Sequence, residues 1–533
     1  MEISPYIIIG SGPCALIAAK TLIDQDALVC MLDVGIEGKN KFNSEFKNFL
    51  QIRESEESQE TLFLGENYES LEVINRSNPI HLTPEKKFTI ARIEGVNVWN
   101  SLNFNPIESL SKGGLANAWG LGAFVFSKNE MQQAGLDPYK MEKAYKWVAD
   151  YIGISGGTDE ASEYSNGGYF TPQEPMQMDF SGDSLFKKYQ RRKKVLTKNG
   201  FMLGRTPLAI NTSARNGREA FAGTDLDFHT EVNNSAFRPG VTLQELLKNK
   251  NFTYIPSQLV TRFAENSERV EIETIDMTNH ANNIFYAKKL IVAAGALGSA
   301  RIIMRSTGIE QLPVICNPYT YIPSLQLSLV GSPNRTYQTG LAQLSLYYDP
   351  ERDHRHVAMG SVYSYRSLLN FRLLKEMPFD HKNSLRLLKL IMPALNITGL
   401  FHPEYGSKDK YIRLEKDQNS ITGDSISSNY ELTQAESKKL ETTEKAYCKA
   451  LRLLGAYPIK VLRNMHGASI HYGGTTPFSS DPVPGTISPE GKLHGFSAVY
   501  VADGSGFKFL PGKGVTLSIM ANAHLTAQYA FEH

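Results

Sequence analysis

Apolar positions along this chain fall into three kinds of run, and each kind predicts a different element. The first is unbroken: Tyr6-Ile7-Ile8-Ile9, then Leu28 to Leu32, and far downstream Leu290-Ile291-Val292-Ala293-Ala294. Short β-branched runs without alternation predict strands buried on both faces, as in a parallel sheet. The second kind alternates, near Ser324–Leu329, Leu341–Tyr348, His356–Tyr363, Tyr411–Leu414 and Ile426–Leu432, and predicts half-buried antiparallel strands. Further strands are expected at Phe252–Ile255, Leu259–Phe263 and Val270–Thr274. The third kind is helical: Leu16 to Leu22, Glu130 to Gly153, a short helix carrying Leu243, Leu246 and Leu247, and one opened by the capping box Thr433-Gln434-Ala435-Glu436 and stopped at Gly455. Leu385 to Pro393 is apolar with two basic residues. It predicts a helix covering the sheet, in preference to a membrane-surface helix or a lid.

Between the first two strands stands Gly10-Ser11-Gly12-Pro13-Cys14-Ala15, a G-x-G-x-x-A turn. The second strand ends at Asp33, 18 residues after Ala15, followed by Val34 and Gly35. This is the spacing of a βαβ unit that binds a dinucleotide. The glycines let backbone approach a pyrophosphate, the helix N-terminus offers it N–H groups, and the acid takes ribose hydroxyls. Gly113-Gly114-Leu115-Ala116-Asn117-Ala118-Trp119-Gly120-Leu121-Gly122 predicts a second stretch of backbone lying against a flat ligand. Ala293 to Ala300, with Ala294 and Gly295, adds a third close-contact turn.

The 533 residues suffice for a large core and more than one domain. With Lys+Arg 56 against Asp+Glu 55, the charge of +1 gives no argument for nucleic acid. The first strand starts too close to Met1 for a signal peptide, and no run reaches the ~20 apolar residues of a bilayer span. Cys14, Cys30, Cys316 and Cys448 are scattered without metal-ligand spacing, so buried thiols and a reducing, cytoplasmic setting are expected, with no metal. Lys39 to Lys87, with the acidic run Glu54-Ser55-Glu56-Glu57, reads as a polar surface excursion.

The last eighty residues bring the chemistry together: His466, His471-Tyr472-Gly473-Gly474-Thr475, Val501-Ala502-Asp503-Gly504-Ser505, and Pro511-Gly512-Lys513-Gly514-Val515-Thr516 opening a final helix. Combined with the N-terminal turn, Gly113–Gly122 and Ala293–Arg301, these resemble the glucose–methanol–choline (GMC) family of FAD-dependent oxidoreductases. The G-G-x-x-x-x-W loop is nearest the pyranose-oxidase-like branch. The family's motifs are G-x-G-x-x-[GA], H-x-x-G-T, V-x-D-[AG]-S and P-G-x-N-P-T.

That resemblance implies an α/β fold: a Rossmann-like FAD-binding domain built from residues 1–130, 201–310 and 461–533, and an α+β substrate domain from 131–200 and 311–460 with a largely antiparallel sheet. It implies that Gly10, Ser11, Gly12, Pro13, Cys14, Asp33, Val34 and Gly35 hold the ADP half of FAD, with Val260 meeting the adenine through its backbone. Gly113, Gly114, Asn117, Ala118 and Trp119 would lie along the cofactor, with Ala294 and Gly295 in contact. Asp503 and Gly504 would meet the ribityl or pyrophosphate region, and Gly514, Val515 and Thr516 the flavin. His471 takes the family's catalytic-base position, with His466 as competitor. The second catalytic position falls on Gly514, which has no side chain, so either Lys513, His524 or a substrate-domain residue serves, or hydroxyl activation rests on His471 alone. Ala118 stands where a covalent histidyl link would be, which implies non-covalent FAD. The implied reaction is oxidation of a CH–OH group on a small molecule, a sugar or other polyol, by hydride transfer to flavin N5. Gly514 keeps open a lyase, isomerase or epimerase working through transient oxidation, and a FAD-bearing assembly subunit is the third reading.

Overall fold

The computed structural model describes residues 3–38, 61, 64–66, 82, 84–101, 103–221, 234–332, 339–364 and 377–533; most of the polar excursion at 39–87 lies outside them. The unbroken apolar runs become the centre of one sheet. Strands Phe252–Ile255, Val29–Leu32, Ser4–Ile9 and Asn282–Val292 lie side by side in that order, all parallel, and Val499–Val501 adds parallel to the last. Along the edge away from Ser4–Ile9, strand Asn282–Val292 serves two further partners. Its first half forms antiparallel pairs with Val270–Asp276, which continues to Gln258–Glu265, while Leu290–Val292 pairs with Val499–Val501. The chain's two ends thus meet beside one strand. Helix Pro13–Ile23 crosses from the first strand to the second.

The final helix, Thr516–Glu532, is buried over most of its circumference. Its small residues Ala523, Ala527 and Ala530 join Ala15, Ala18, Ala19 and Leu22 of helix Pro13–Ile23 in one apolar cluster. On its other side runs Pro138–Ile152, where Tyr145 and Ser518 share a hydroxyl hydrogen bond of 2.6 Å. One helix was expected across 130–153. Gly135, at φ +86°, instead ends Lys128–Ala134, and Asp137 caps a second helix. Pro138–Ile152 therefore packs on the parallel-sheet side, although 131–200 was expected with the antiparallel sheet.

The runs at 341–348 and 356–363 enter a second, antiparallel sheet in the order Tyr457–Pro458, Tyr319–Leu325, Leu395–Phe401, Ala358–Ser364, Leu344–Tyr348, Phe201–Arg205. The strand expected at 324–329 instead ends at Leu325, and a helical turn follows at Leu327–Leu329. The runs at 411–414 and 426–432 pair with each other in a separate sheet, beside Gln311–Pro313 and Trp99–Asn100. Phe201–Arg205 pairs here with Leu344–Tyr348, so the domain boundary expected at 201 falls after this strand instead. A strand's side chains point to alternate faces. Thus Ile322, Leu346, Val362 and Leu400 pack under helices Phe180–Lys198 and Gln434–Leu453, while Tyr319, Tyr321, Met359, Tyr363 and Phe401 face a cavity. The capping box at Thr433 forms as expected, with Glu436 N–H donating to Thr433 Oγ1 at 3.2 Å. Helix His381–Ile391 does not cover the sheet as expected: only Ser384 and Leu388 are buried.

Candidate functional site

A cavity of about 550 Å³ runs from the carboxyl ends of the parallel strands to the open face of the second sheet. At one end the first βα turn forms its floor. Gly10 (φ +94°) is required by its neighbour, because a Cβ there would stand 2.7 Å from the Ala293 carbonyl oxygen. At Gly12 a Cβ would meet nothing within 4 Å, so Gly12 is the glycine that leaves room for a ligand. Pro13 and Cys14 follow at the N-terminus of the first helix, where a helix dipole and free N–H groups favour an anion.

Asp33 is held by a chain of donors. Gly113 N–H donates to Ser11 Oγ (2.9 Å), the Ser11 hydroxyl donates to Asp33 Oδ2, and the Tyr254 hydroxyl donates to the same oxygen (3.0 Å). Burial pushes the Asp33 carboxyl up to about 6, against the lowering effect of those two hydroxyls. Val34 lines the cavity; Gly35 does not, and its missing side chain leaves space for the Tyr254 hydroxyl.

Gly114, Ala118 and Trp119 line the next stretch, and the Trp119 indole N–H is fixed on the Phe237 carbonyl at 3.0 Å. Gly113 and Asn117 do not line it. The Asn117 amide donates to the carbonyls of Lys112 (2.8 Å) and Gly114 (3.0 Å), so it braces the left-handed Gly113–Gly114 turn from behind. Val260, Ala294 and Gly295 sit on the wall, as do Asp503 and Gly504. The Asp503 carboxylate accepts from the Ser299 hydroxyl (2.6 Å), the Ser505 N–H (2.9 Å) and the Ser505 hydroxyl (2.5 Å), and burial raises its pKa. It ties the strand Val499–Val501 to helix Ala296–Thr307.

Where the two halves meet stand His471, Gly514, Val515 and Thr516, the last two opening the final helix. The His471 ring stacks on Phe401, with centroids 4.7 Å apart and planes at 21°. Its Nδ1 lies 3.2 Å from Asn317 Oδ1. The Asn317 amide donates through Nδ2 to the carbonyls of His402 (2.8 Å) and Pro511 (3.0 Å), which turns Oδ1 toward the ring. A carbonyl oxygen only accepts, so Nδ1 carries the proton and Nε2 keeps its lone pair. Burial lowers the His471 pKa to about 4, so the ring is neutral at neutral pH.

The expected substitutes for the missing second residue lie elsewhere. Lys513 is fully buried and points away, its ammonium 2.8 Å from Glu130 and bonded to the Val125 and Tyr164 carbonyls (3.3 and 3.1 Å). His524 is stacked on Trp147 at 4.1 Å, with Nδ1 2.8 Å from Thr21 Oγ1, between helices and away from the cavity. His466 packs near Tyr430, centroids 5.0 Å apart, and does not line this cavity. Beside Gly514 stands an apolar ring: a Cβ there would lie 3.0 Å from Phe124 Cδ2 and 3.2 Å from the Gly122 carbonyl oxygen. Asn317, Phe124, Phe401 and Tyr254 carry no motif and emerge only from the fold.

No curated protein matches the sequence. Residues 418–523 match the C-terminal family model of GMC oxidoreductase. Among solved structures, the chain is similar to pyridoxine 4-oxidase from Mesorbium loti: TM-score 0.58 at 11% identity, covering 99% of each chain. His471, Asp503 and Gly514 all lie inside the segment similar to GMC oxidoreductases, and the fold is alike from end to end.

Proposed function

We propose that this enzyme binds FAD non-covalently along the cavity and oxidises a hydroxylated small molecule there, with His471 as the base. The residues suit such a group. A floor open at Gly12 and two helix N-termini favour the negative charges of a dinucleotide, and Ala118 offers no histidyl attachment. Gly10, Ser11, Asp33 and Val260 would hold the ADP half; Gly114, Trp119, Asp503 and Thr516 would lie along the rest. Gly113, Asn117 and Gly35 act by shaping the turns. Bound FAD supplies the hydride acceptor, at N5 of its ring.

The protein's own part is proton handling and positioning. His471 Nε2, unprotonated at neutral pH, accepts the hydroxyl proton as the carbinol C–H bond breaks, an effect typically worth ~10²–10⁴ in rate. Asn317 fixes the tautomer that makes this possible, and Phe401 fixes the ring plane. Val515 and Thr516 bring the N-terminus of the final helix to the cavity wall, where its dipole would favour the negative charge of a reduced flavin. The second position supplies shape rather than a polar group, since Phe124 stands beside Gly514.

We assign the cofactor domain to 1–130, 201–310 and 461–533 and the substrate domain to 131–200 and 311–460, with strand Phe201–Arg205 and helix Pro138–Ile152 exchanged between them. The motif resemblance favours a sugar or other polyol, handled in the reducing setting that four free cysteines suit.

The single observation that carries the reading is the Asn317–His471 hydrogen bond, which presents a neutral imidazole to the cavity. Anaerobic addition of sugars, polyols and primary alcohols tests it: one class should bleach the flavin with release of an aldehyde or ketone. Flavin that stays oxidised with every hydroxylated ligand that binds would overturn it. A product of unchanged oxidation state, formed with no acceptor consumed, would assign the lyase, isomerase or epimerase reaction instead.

A further inference from the structure

Several of the chain's exposed large apolar side chains gather at one end of the second sheet. Leu325, last in its strand, pairs with Leu395 on one side and Tyr457 on the other. Beyond that point Gly331 N–H donates to the Leu390 carbonyl, and Ile459 N–H to Pro323. Turn 327–330, helix His381–Ile391 and strand Tyr457–Pro458 therefore share a corner. On it Leu327 is 58% exposed, Val330 46%, Leu390 50%, Tyr457 47% and Ile459 56%. A contiguous exposed apolar patch on a water-soluble surface marks an interaction site.

The charge around it is one-sided. Lys382, Arg386 and Lys389 lie at i, i+4 and i+7, hence on one face of the helix, beside Leu387 and Leu390; all five are exposed. Lys460 follows Ile459. Asp380 caps the helix N-terminus, spent on the Asn383 N–H, and neither 381–393 nor 456–465 contains a further aspartate or glutamate. Exposed leucines set beside a basic face without carboxylates have the chemistry of a helix that lies in the headgroup region of an anionic membrane. These exposed apolar side chains stand on three separate elements at an edge of the sheet. Among the described residues no helix is long and apolar enough to cross a membrane.

We propose that this corner docks the enzyme on the surface of an anionic lipid bilayer. The inference does not depend on the cofactor or on His471, and it replaces the expectation that this helix covers the sheet. The test is co-sedimentation of the full-length protein with vesicles of phosphatidylcholine alone and of phosphatidylcholine mixed with phosphatidylglycerol. Binding to the anionic vesicles should be about ten-fold stronger or more, and should weaken as salt is raised. Leu387→Ser with Leu390→Ser and Ile459→Ser should abolish it, whereas Lys382→Gln with Arg386→Gln and Lys389→Gln should remove only the preference for anionic lipid. Melting temperatures near wild type would confirm that both variants fold, and single Leu390→Ser serves if the triple does not. No binding to either vesicle, equal binding to both, or serine variants that bind like wild type would overturn the proposal. So would self-association that the serine variants abolish while vesicles bind nothing, since the corner would then meet a second copy.

Discussion

The cavity has two walls built on different principles. The nucleotide-side wall is made mostly of backbone: Gly10, Gly12, Gly114, Gly295 and the first turns of two helices. The opposite wall is made of side chains on a sheet: Tyr319, Tyr321, Met359, Tyr363 and Phe401. Backbone walls constrain residue type, because only glycine gives left-handed φ and close approach freely. Ring walls constrain only size and alternation, which many residues satisfy. The difference teaches where to expect tolerance: on the proposed reading, substitutions on the first wall would act through shape and cofactor, those on the second through substrate and base.

Changing the proposed base, at the junction of the two, gives the largest expected effect. His471→Ala should slow anaerobic flavin reduction by ~10²–10⁴ while FAD content stays at wild-type level. Undiminished reduction would remove His471 from the reaction. Next comes Lys513→Met, which leaves Glu130 buried without its cation and should cost about 3–5 kcal/mol in denaturant unfolding. The folded fraction should reduce flavin at the wild-type rate, and a slowed rate would return Lys513 to catalysis.

The glycines separate fold from ligand on a single turn. Gly10→Ala, forced against the Ala293 carbonyl at positive φ, should lose about 1–3 kcal/mol of stability. Gly12→Ala should melt near wild type and yet bind FAD more weakly. Equal melting of both variants would break the distinction. Asn317→Ala should slow reduction by about ten-fold, the value of one lost hydrogen bond, and change the acidic limb of the pH–rate profile. An unchanged limb would mean that Asn317 does not hold the imidazole.

The smallest effect is in pH. Burial lowers His471 to about 4, His524 to about 4 and His402 to about 3, from an ordinary 6.5. Between those values the unfolded chain binds protons that the folded chain refuses, so these histidines lower stability as pH drops from 6.5 toward 4. Buried Asp33, raised to about 6, and Glu404, raised to about 7, act oppositely, because the folded chain keeps protons that the unfolded chain has lost. Melting temperature measured from pH 7.5 down to 4.5 should therefore change little, and a steep change in either direction would contradict this balance.

The same contrast decides how much was legible in the sequence. The parallel strands, the turn Gly10–Cys14 and the helix opening at Thr516 were readable because each needs particular residues at particular spacings. Asn117 and Lys513 show the limit: both stand in the right loops, but a loop's spacing does not tell which way a side chain turns, and both turn inward. Asn317 could not be read at all. It lies 154 positions before His471, and only strand pairing brings them together. The helix at 381–391 was misread because its apolar positions carry no mark of what they face.

The account rests on both ends of the chain closing on one dinucleotide. Its most direct test is the visible spectrum of the purified protein, before and after acid precipitation. The account predicts a bound flavin spectrum at about one equivalent per chain, with all of the colour released into the supernatant as FAD. Protein that is colourless and takes up no FAD when it is supplied, or colour that stays with the pellet, would contradict it.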